Sequence, residues 1–302
     1  MCSAPVVVRP PFPYYGGKTL LGPAIAALLP AHQHYVEPFA GSLAVLLAKT
    51  PTAHETVNDL DGELVTFWRV LRDQPAALAR VCALTPHSRA EHHASYTPTG
   101  AGIGTGTPAG LGGGRVGEVE VARRVWVQLT QGRAGVRSRT GWRHYVHPAG
   151  EFGLPGYLTG YVGRIAAAAE RLQRVSLECR PAVEVIAAYG ADPAVLLYVD
   201  PPYLGSLRHH SGGYRHELRG ADEHRDLAAA LHACTAAVVL SGYPCELYDR
   251  DLYPDWWRTT LPAHTGQGGA WAARTEVLWS NRPLGVDQPA LFDLTHPTGG
   301  AA

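Results

Sequence analysis

The sequence predicts an α/β fold in three layers, a central sheet with helices on both sides. The apolar run from Ala194 to Val199 carries most of that reading. It lacks the polar alternation of a half-exposed strand, so it belongs in a sheet covered on both faces, and it stops abruptly at Asp200-Pro201-Pro202-Tyr203. Segments of helical period accompany it. Leu64, Phe67, Trp68 and Leu71 share one helical face, and Tyr161, Ile165, Ala168, Leu172 and Val175 line a second amphipathic helix that returns the chain to the sheet. With 302 residues the chain can hold one such domain with an insertion, and its 46% apolar content suits a globular core.

The amino terminus, Met1-Cys2-Ser3-Ala4-Pro5, has neither the charged nor the apolar region of a signal peptide, and no apolar stretch reaches membrane-spanning length. The expected location is therefore the cytoplasm. The dispersed cysteines, Cys2, Cys82, Cys179, Cys234 and Cys245, form no C-x-x-C pair and read as reduced thiols. Formal net charge is zero, so any contact with nucleic acid is expected from a local patch. Among 15 histidines, His209, His210 and His216 are the best metal candidates, but no cysteine or acid stands at a ligand spacing from them and no metal is expected.

In chain order, Pro13-Tyr14-Tyr15-Gly16-Gly17-Lys18-Thr19 ends like a phosphate-binding loop. Phe12 stands where that loop needs its first glycine, which argues against a nucleotide hydrolase and leaves a glycine turn with a solvated lysine as the plain reading. His34-Tyr35-Val36-Glu37-Pro38-Phe39-Ala40-Gly41-Ser42, followed by apolar Leu43 to Leu47, reads as strand, tight turn and helix with Ser42 as N-cap. A ligand can approach the backbone closely at such a junction. A second short strand ends at Asn58-Asp59. An acid there can accept hydrogen bonds from both ribose hydroxyls of an adenosine cofactor, or it can cap the following helix, a role for which Asp61 is better placed.

From Thr85 to about Gly114 the composition shifts to Gly, Thr, Pro and Ala, and Thr97 to Gly114 reads as a flexible loop. The most basic part of the chain follows: Arg123, Arg124, Arg133, Arg137, Arg139 and Arg143, with no acid between Val121 and Gly150 and with Trp126, Trp142 and Tyr145 interleaved. Guanidinium groups pair with phosphates or guanine edges, and aromatic rings wedge or stack where a base is expelled; a solvated basic loop over a small aromatic core is the alternative. Leu204 to Gly220 is a polar loop, Leu227 and Leu231 mark a helix, and Ala237 to Leu240 a strand ending at Ser241-Gly242-Tyr243. Leu261 to Ala273 reads as another loop. Arg274 to Asn281 reads as a final strand, and the Pro, Gly and Ala of 283–302 make a flexible tail.

Each residue of Asp200-Pro201-Pro202-Tyr203 has a chemical task if the substrate is an amino group on an aromatic ring. Its lone pair is delocalised, so the nitrogen becomes nucleophilic only when acceptors hold its protons. Asp200 can accept one and the Pro201 carbonyl the other, while the proline rings fix φ and hold these acceptors before substrate arrives. Tyr203 offers a flat face for a base. The plain alternative is a strand end followed by a proline turn.

This tetrapeptide resembles the catalytic motif of nucleic-acid amino-methyltransferases, and the motif order resembles the Dam-type DNA adenine-N6 methyltransferases. That resemblance implies a Rossmann-like three-layer methyltransferase fold using S-adenosyl-L-methionine, with Asp200, Pro201, Pro202 and Tyr203 catalytic. It places Tyr15, Gly17 and Lys18 against the cofactor and active site. Glu37, Pro38, Phe39 and Gly41 match the family's Glu-Pro-Phe-x-Gly-x-Gly, with Asp59 and Asp200 completing the cofactor set. Leu43 stands where the last glycine belongs, and a side chain there is expected to narrow the pocket. The resemblance also implies that Glu276 and Asn281 of the final strand are structural. Residues 1–84 and 155–282 are expected to form the catalytic domain and 85–154 an inserted target-recognition region, a position that agrees with the family's motif order; its six arginines are expected to face DNA on their chemistry alone, since the resemblance does not cover them residue by residue. Double-stranded DNA is the implied partner, with a flipped adenine, a companion restriction endonuclease and a monomer as the default state. A cytosine-N4 methyltransferase would use the same four residues, and an inactive cofactor-binding module is the other alternative.

Overall fold

The computed structural model describes residues 8–98, 117–144, 153–203, 220–265 and 272–285. Seven strands form one sheet: β1 (His34–Glu37), β2 (His54–Asn58), β3 (Val175–Glu178), β4 (Val195–Val199), β5 (Ala237–Gly242), β6 (Trp257–Thr265) and β7 (Ala272–Ser280). Their order is β3-β2-β1-β4-β5-β7-β6. The first five run parallel, whereas β7 pairs antiparallel with both β5 and β6.

The expected three layers are present, and β4 shows why its sequence is apolar throughout. Leu196 and Tyr198 pack into one hydrophobic cluster, while Val195, Leu197 and Val199 pack into another on the opposite face. A strand with two buried faces has no position to give to water. On the first face lie α1 (Gly22–Leu28), α2 (Ala44–Ala48), α3 (Gly62–Asp73), α4 (Pro75–Leu84), α6 (Glu118–Gln131) and α8 (Ile165–Leu172). On the second lie α9 (Ala182–Tyr189) and α10 (Ala221–His232), the latter through Leu227 and Leu231.

The helix expected around Leu64 is α3, and Leu64, Phe67, Trp68 and Leu71 are all buried. Asp61 caps it, accepting from the Glu63 and Leu64 N–H groups at 3.1 and 3.4 Å. Several expectations need correction. The helix expected from Tyr161 to Val175 is two helices, α7 (Gly153–Val162) and α8, parted at Gly163 and Arg164, and Val175 already opens β3. Ser42 does not cap α2; Leu43 occupies that position, with φ of 55°. Leu261 to Thr265, expected in a loop, belongs to β6, a solvent-facing edge strand whose polar-rich Trp257-Arg258-Thr259-Thr260 start hides its period. The helices α1, α4, α5 (Arg89–Ala94), α6 and α9 were not foreseen.

The expected recognition region does not stand apart from the core along α6. Val125, Trp126, Val127 and Leu129 are buried, and the Trp126 indole donates to the Pro11 carbonyl at 3.1 Å. The expected loop of 97–114, the polar loop of 204–220, Tyr145, Cys2, His209, His210, His216 and the tail from 286 onward lie wholly or mostly outside the described residues. Cys82, Cys179, Cys234 and Cys245 are free thiols, and burial pushes the Cys82 thiol up to about 12. Among the described residues no helix is long and apolar enough to cross a membrane.

Candidate active site

Strand order reverses between β1 and β4, and open α/β sheets form their binding crevice at such a switch point, outside the strands' carboxyl ends. A cavity of about 240 Å³ lies there. Tyr15, Gly17, Lys18, Glu37, Pro38, Phe39, Gly41, Asp59 and Asp200 all border it, so the structure gathers every residue expected to meet the cofactor.

Its floor is the turn after β1. Gly41 takes φ of 47°, and a Cβ there would stand 3.0 Å from the Tyr14 ring, so both the backbone and the close ring favour glycine. The Gly41 N–H donates to Asp59 at 3.0 Å, the Asp61 N–H donates to the other Asp59 oxygen at 2.9 Å, and the Trp68 indole donates to the Gly41 carbonyl at 3.1 Å. Asp59 thus pins the turn and also lines the cavity; each carboxylate oxygen has two lone pairs, which leaves acceptor capacity for a ligand. Burial raises its pKa to about 6, against the two N–H groups that favour the anion.

Leu43 does not narrow this cavity. It keeps the left-handed backbone that the motif's glycine would supply, and its side chain turns away into the core, fully buried. Beside Asp59 the wall is apolar. Leu60 and Val183 line it with Phe39 and Pro181, and the first two are large hydrophobic residues left 45% and 44% exposed. Such a slot suits one flat, uncharged ring.

At the far end Asp200 leaves β4 and keeps 19% of its side chain open. Lys18, itself buried, reaches both Asp200 oxygens at 2.8 and 2.9 Å, the Gly16 carbonyl at 3.0 Å and the Tyr203 hydroxyl at 2.5 Å. Those contacts use all three ammonium protons. The solvated lysine of the plain sequence reading is thus a buried member of the site. Glu276, brought in by β7, accepts from the Tyr203 and Ser241 hydroxyls at 2.6 Å each and lies 3.6 Å from the Lys18 ammonium. Burial lifts Asp200 to about 6 in spite of Lys18, with the Glu276 charge adding to the rise. Lys18 is also raised, because the two carboxylates outweigh its own burial. Glu37 is buried and accepts from the Tyr35 hydroxyl at 3.0 Å; burial pushes it far above the carboxylate range.

Pro202 borders the cavity, whereas Pro201 and Tyr203 are buried beside it. The open Tyr203 face expected for a base is closed here. The ring is 7% exposed and Tyr243 packs against it at 4.5 Å, because the bonds of its hydroxyl draw it inward. Asn281 is structural, as expected: its amide bonds the Val238 N–H and the Ala236 carbonyl. Glu276, expected to be structural like Asn281, instead joins the Lys18, Asp200 and Tyr203 cluster. Its signal was an acid directly before the apolar Val277-Leu278-Trp279 of a buried strand.

The six arginines separate into three groups. Arg137 is buried, held by Asp61 at 3.0 Å, Glu63 at 2.6 Å and the Gln128 side chain, so it faces α3 and not solvent. Arg123 pairs with Glu120 and Glu91, Arg124 with Glu120, and Arg143 donates to the Tyr157 hydroxyl. Glu120 lies directly before the acid-free stretch and Glu91 far upstream of it, which is why the sequence seemed to leave those charges uncompensated. Arg133 and Arg139 are exposed, on a loop whose Gly135 carbonyl accepts from the Tyr15 N–H at 2.8 Å beside the cavity.

A doubly covered parallel sheet, continued by a reversed β7 and carrying its crevice at the β1–β4 junction, is the Rossmann-like methyltransferase fold. The chain belongs to the D12 class of N6 adenine-specific DNA methyltransferases, whose family model matches residues 14–98 and 163–260. It is an enzyme that methylates adenine at N6 in DNA. A type II methyltransferase of Lactococcus lactis subsp. cremoris is 25% identical over 286 residues, 91% of this chain and 95% of that protein. Among solved structures, a precorrin-8w decarboxylase of Methanobacterium thermoautotrophicum covers 87% of both chains at 9% identity, with a TM-score of 0.32 too low to bear on function.

Proposed function

We propose that the methyl donor is S-adenosyl-L-methionine, held in the cavity between Asp59 and Asp200. The residues fit such a molecule in three ways. The Asp59 carboxylate has acceptor capacity for ribose hydroxyls, the Leu60, Val183, Phe39 and Pro181 wall suits an adenine ring, and the Gly41 turn admits close backbone approach. When bound, the donor supplies an electrophilic methyl group on a positively charged sulfur. Loss of that charge during transfer needs no metal, so orientation can provide much of the acceleration.

The target adenine leaves the duplex and presents its amino group to Asp200 and the Pro201 carbonyl, with Tyr203 packing on the base once Tyr243 moves aside. A bound donor would supply the methyl group to the amine nitrogen and leave as the neutral thioether, and the amine proton released would pass to a base, for which ionised Asp200 is at hand. Position supports Arg133 and Arg139 as DNA contacts, since their loop is bonded to Tyr15 at the cavity rim. Arg123, Arg124 and Arg143 join them only by exchanging their present partners, and Arg137 is a brace. The span between the family model's two matched segments, 99–162, overlaps most of the proposed recognition region of 85–154, which supports an insertion there, while 85–98 fall within the matched family segment. The type II relative supports a role beside a companion endonuclease.

One observation carries the catalytic assignment: the Asp200 carboxylate opens into the cavity shared with Gly41 and Asp59. Asp200→Ala should reduce transfer of labelled methyl groups to DNA to background while leaving donor binding intact by calorimetry. Retained transfer would refute the role, and nucleoside digestion showing N4-methylcytosine would replace adenine as target.

A further inference from the structure

We infer that Glu276 is a positioning residue for methyl transfer, which keeps the Asp200 carboxylate available to the target amine by taking the Tyr203 hydroxyl proton. The inference rests on the catalytic role proposed for Asp200.

The hydroxyl of Tyr203 has one proton and two carboxylates in reach. Asp200 lies 3.2 Å away and Glu276 2.6 Å away, so the shorter, better bond goes to Glu276. Tyr203 in turn accepts from Lys18, whose remaining protons go to Asp200 and the Gly16 carbonyl. The Ser241 hydroxyl holds Glu276 from β5 at 2.6 Å. Without the Glu276 carboxylate the Tyr203 proton would turn to Asp200, which would then carry two donors before any amine arrived. A carboxylate that is already hydrogen-bonded is a weaker acceptor. The hairpin of β6 and β7 therefore acts on the reacting nitrogen through Tyr203, without touching it.

Charge follows the same geometry. Asp200 is faced by Lys18 from the segment before α1, Glu37 from β1, Tyr198 and Tyr203 from β4 and its extension, Glu276 from β7 and Tyr248 from the turn after β5. The Glu276 anion opposes ionisation of Asp200, and its removal leaves Lys18 to a single carboxylate. Both changes lower the Asp200 pKa.

The test is steady-state kinetics of Glu276→Gln, Tyr203→Phe and the double variant, with donor binding and thermal melting measured in parallel. Glu276→Gln should lower kcat on the order of 10²-fold, as a misplaced acceptor does, leave donor affinity unchanged and move the acid limb of kcat to lower pH. In the Tyr203→Phe background the same substitution should cost less than about threefold, since coupled residues are not additive. Equal losses in both backgrounds, or an unmoved acid limb in a variant that still melts cooperatively, would overturn the inference. If Asp200→Ala retains activity, the reading on which it rests fails first.

Discussion

Two carboxylates at the carboxyl ends of β2 and β4, the strands on either side of β1, are expected to set the pH behaviour of this enzyme. Asp200 must be ionised to accept an amine proton, and burial has raised it to about 6. Turnover at saturating donor and DNA should rise with pH through about 6, and a kcat profile flat between pH 5 and 7 would contradict that. Asp59 is raised to about 6 by the same cause. Protonation removes acceptor capacity that its backbone donors and a ligand share, so donor affinity measured by calorimetry should weaken as pH falls through about 6. The stability sign is opposite. A carboxyl with a raised folded pKa binds its proton more tightly folded than unfolded, so its contribution is full below the ordinary aspartate value and is lost as pH rises through about 6. In the roles proposed for them, Asp59 and Asp200 would favour binding and chemistry at neutral pH while opposing folding there.

The helix after β1 begins on a residue that should resist its own backbone. Leu43 holds φ of 55°, a conformation that costs a non-glycine residue about 1 kcal/mol, and its burial more than compensates, since losing a core leucine costs about 3 kcal/mol. Leu43→Gly should therefore destabilise the protein by about 2 kcal/mol in denaturant titrations while donor affinity is unchanged, because Leu43 is not on the cavity wall. Improved affinity would show that Leu43 obstructs the site after all. Arg137 makes a comparable point for the loop after α6. It braces that loop to the first turn of α3 through Asp61 and Glu63, and removing one partner of a buried pair costs about 3–5 kcal/mol. Arg137→Ala should lower the melting temperature markedly, whereas Arg133→Ala and Arg139→Ala, both exposed, should leave it within a degree or two.

Taken whole, the molecule has no net charge, so attraction to DNA must be local. If Arg133 and Arg139 contact phosphates, replacing each by alanine should weaken DNA binding and reduce the dependence of log affinity on log salt by about one unit. An unchanged slope for both would move the interface elsewhere. The fold class was legible in the sequence because it rests on local rules, whereas most of the residues that the structure gathers at the cavity were named through the family resemblance. An apolar run must be covered on both faces, and a glycine turn after a strand brings backbone to a ligand. Asp59 and Asp200 could be named because each lies at a strand's carboxyl end, where the sheet's crevice forms. The sequence could not sort the arginines, since an arginine is free or spent according to which acids the fold brings near, and Glu91, Asp61 and Glu63 are distant along the chain. Nor could it place Glu276, which lies 73 residues beyond Tyr203 and reaches it only because β7 inserts antiparallel beside β5. Local pattern determined the strands, the turn and the motif; long-range pairing decided which charges meet, because Coulomb and hydrogen-bond partners are chosen by distance in space and not along the chain.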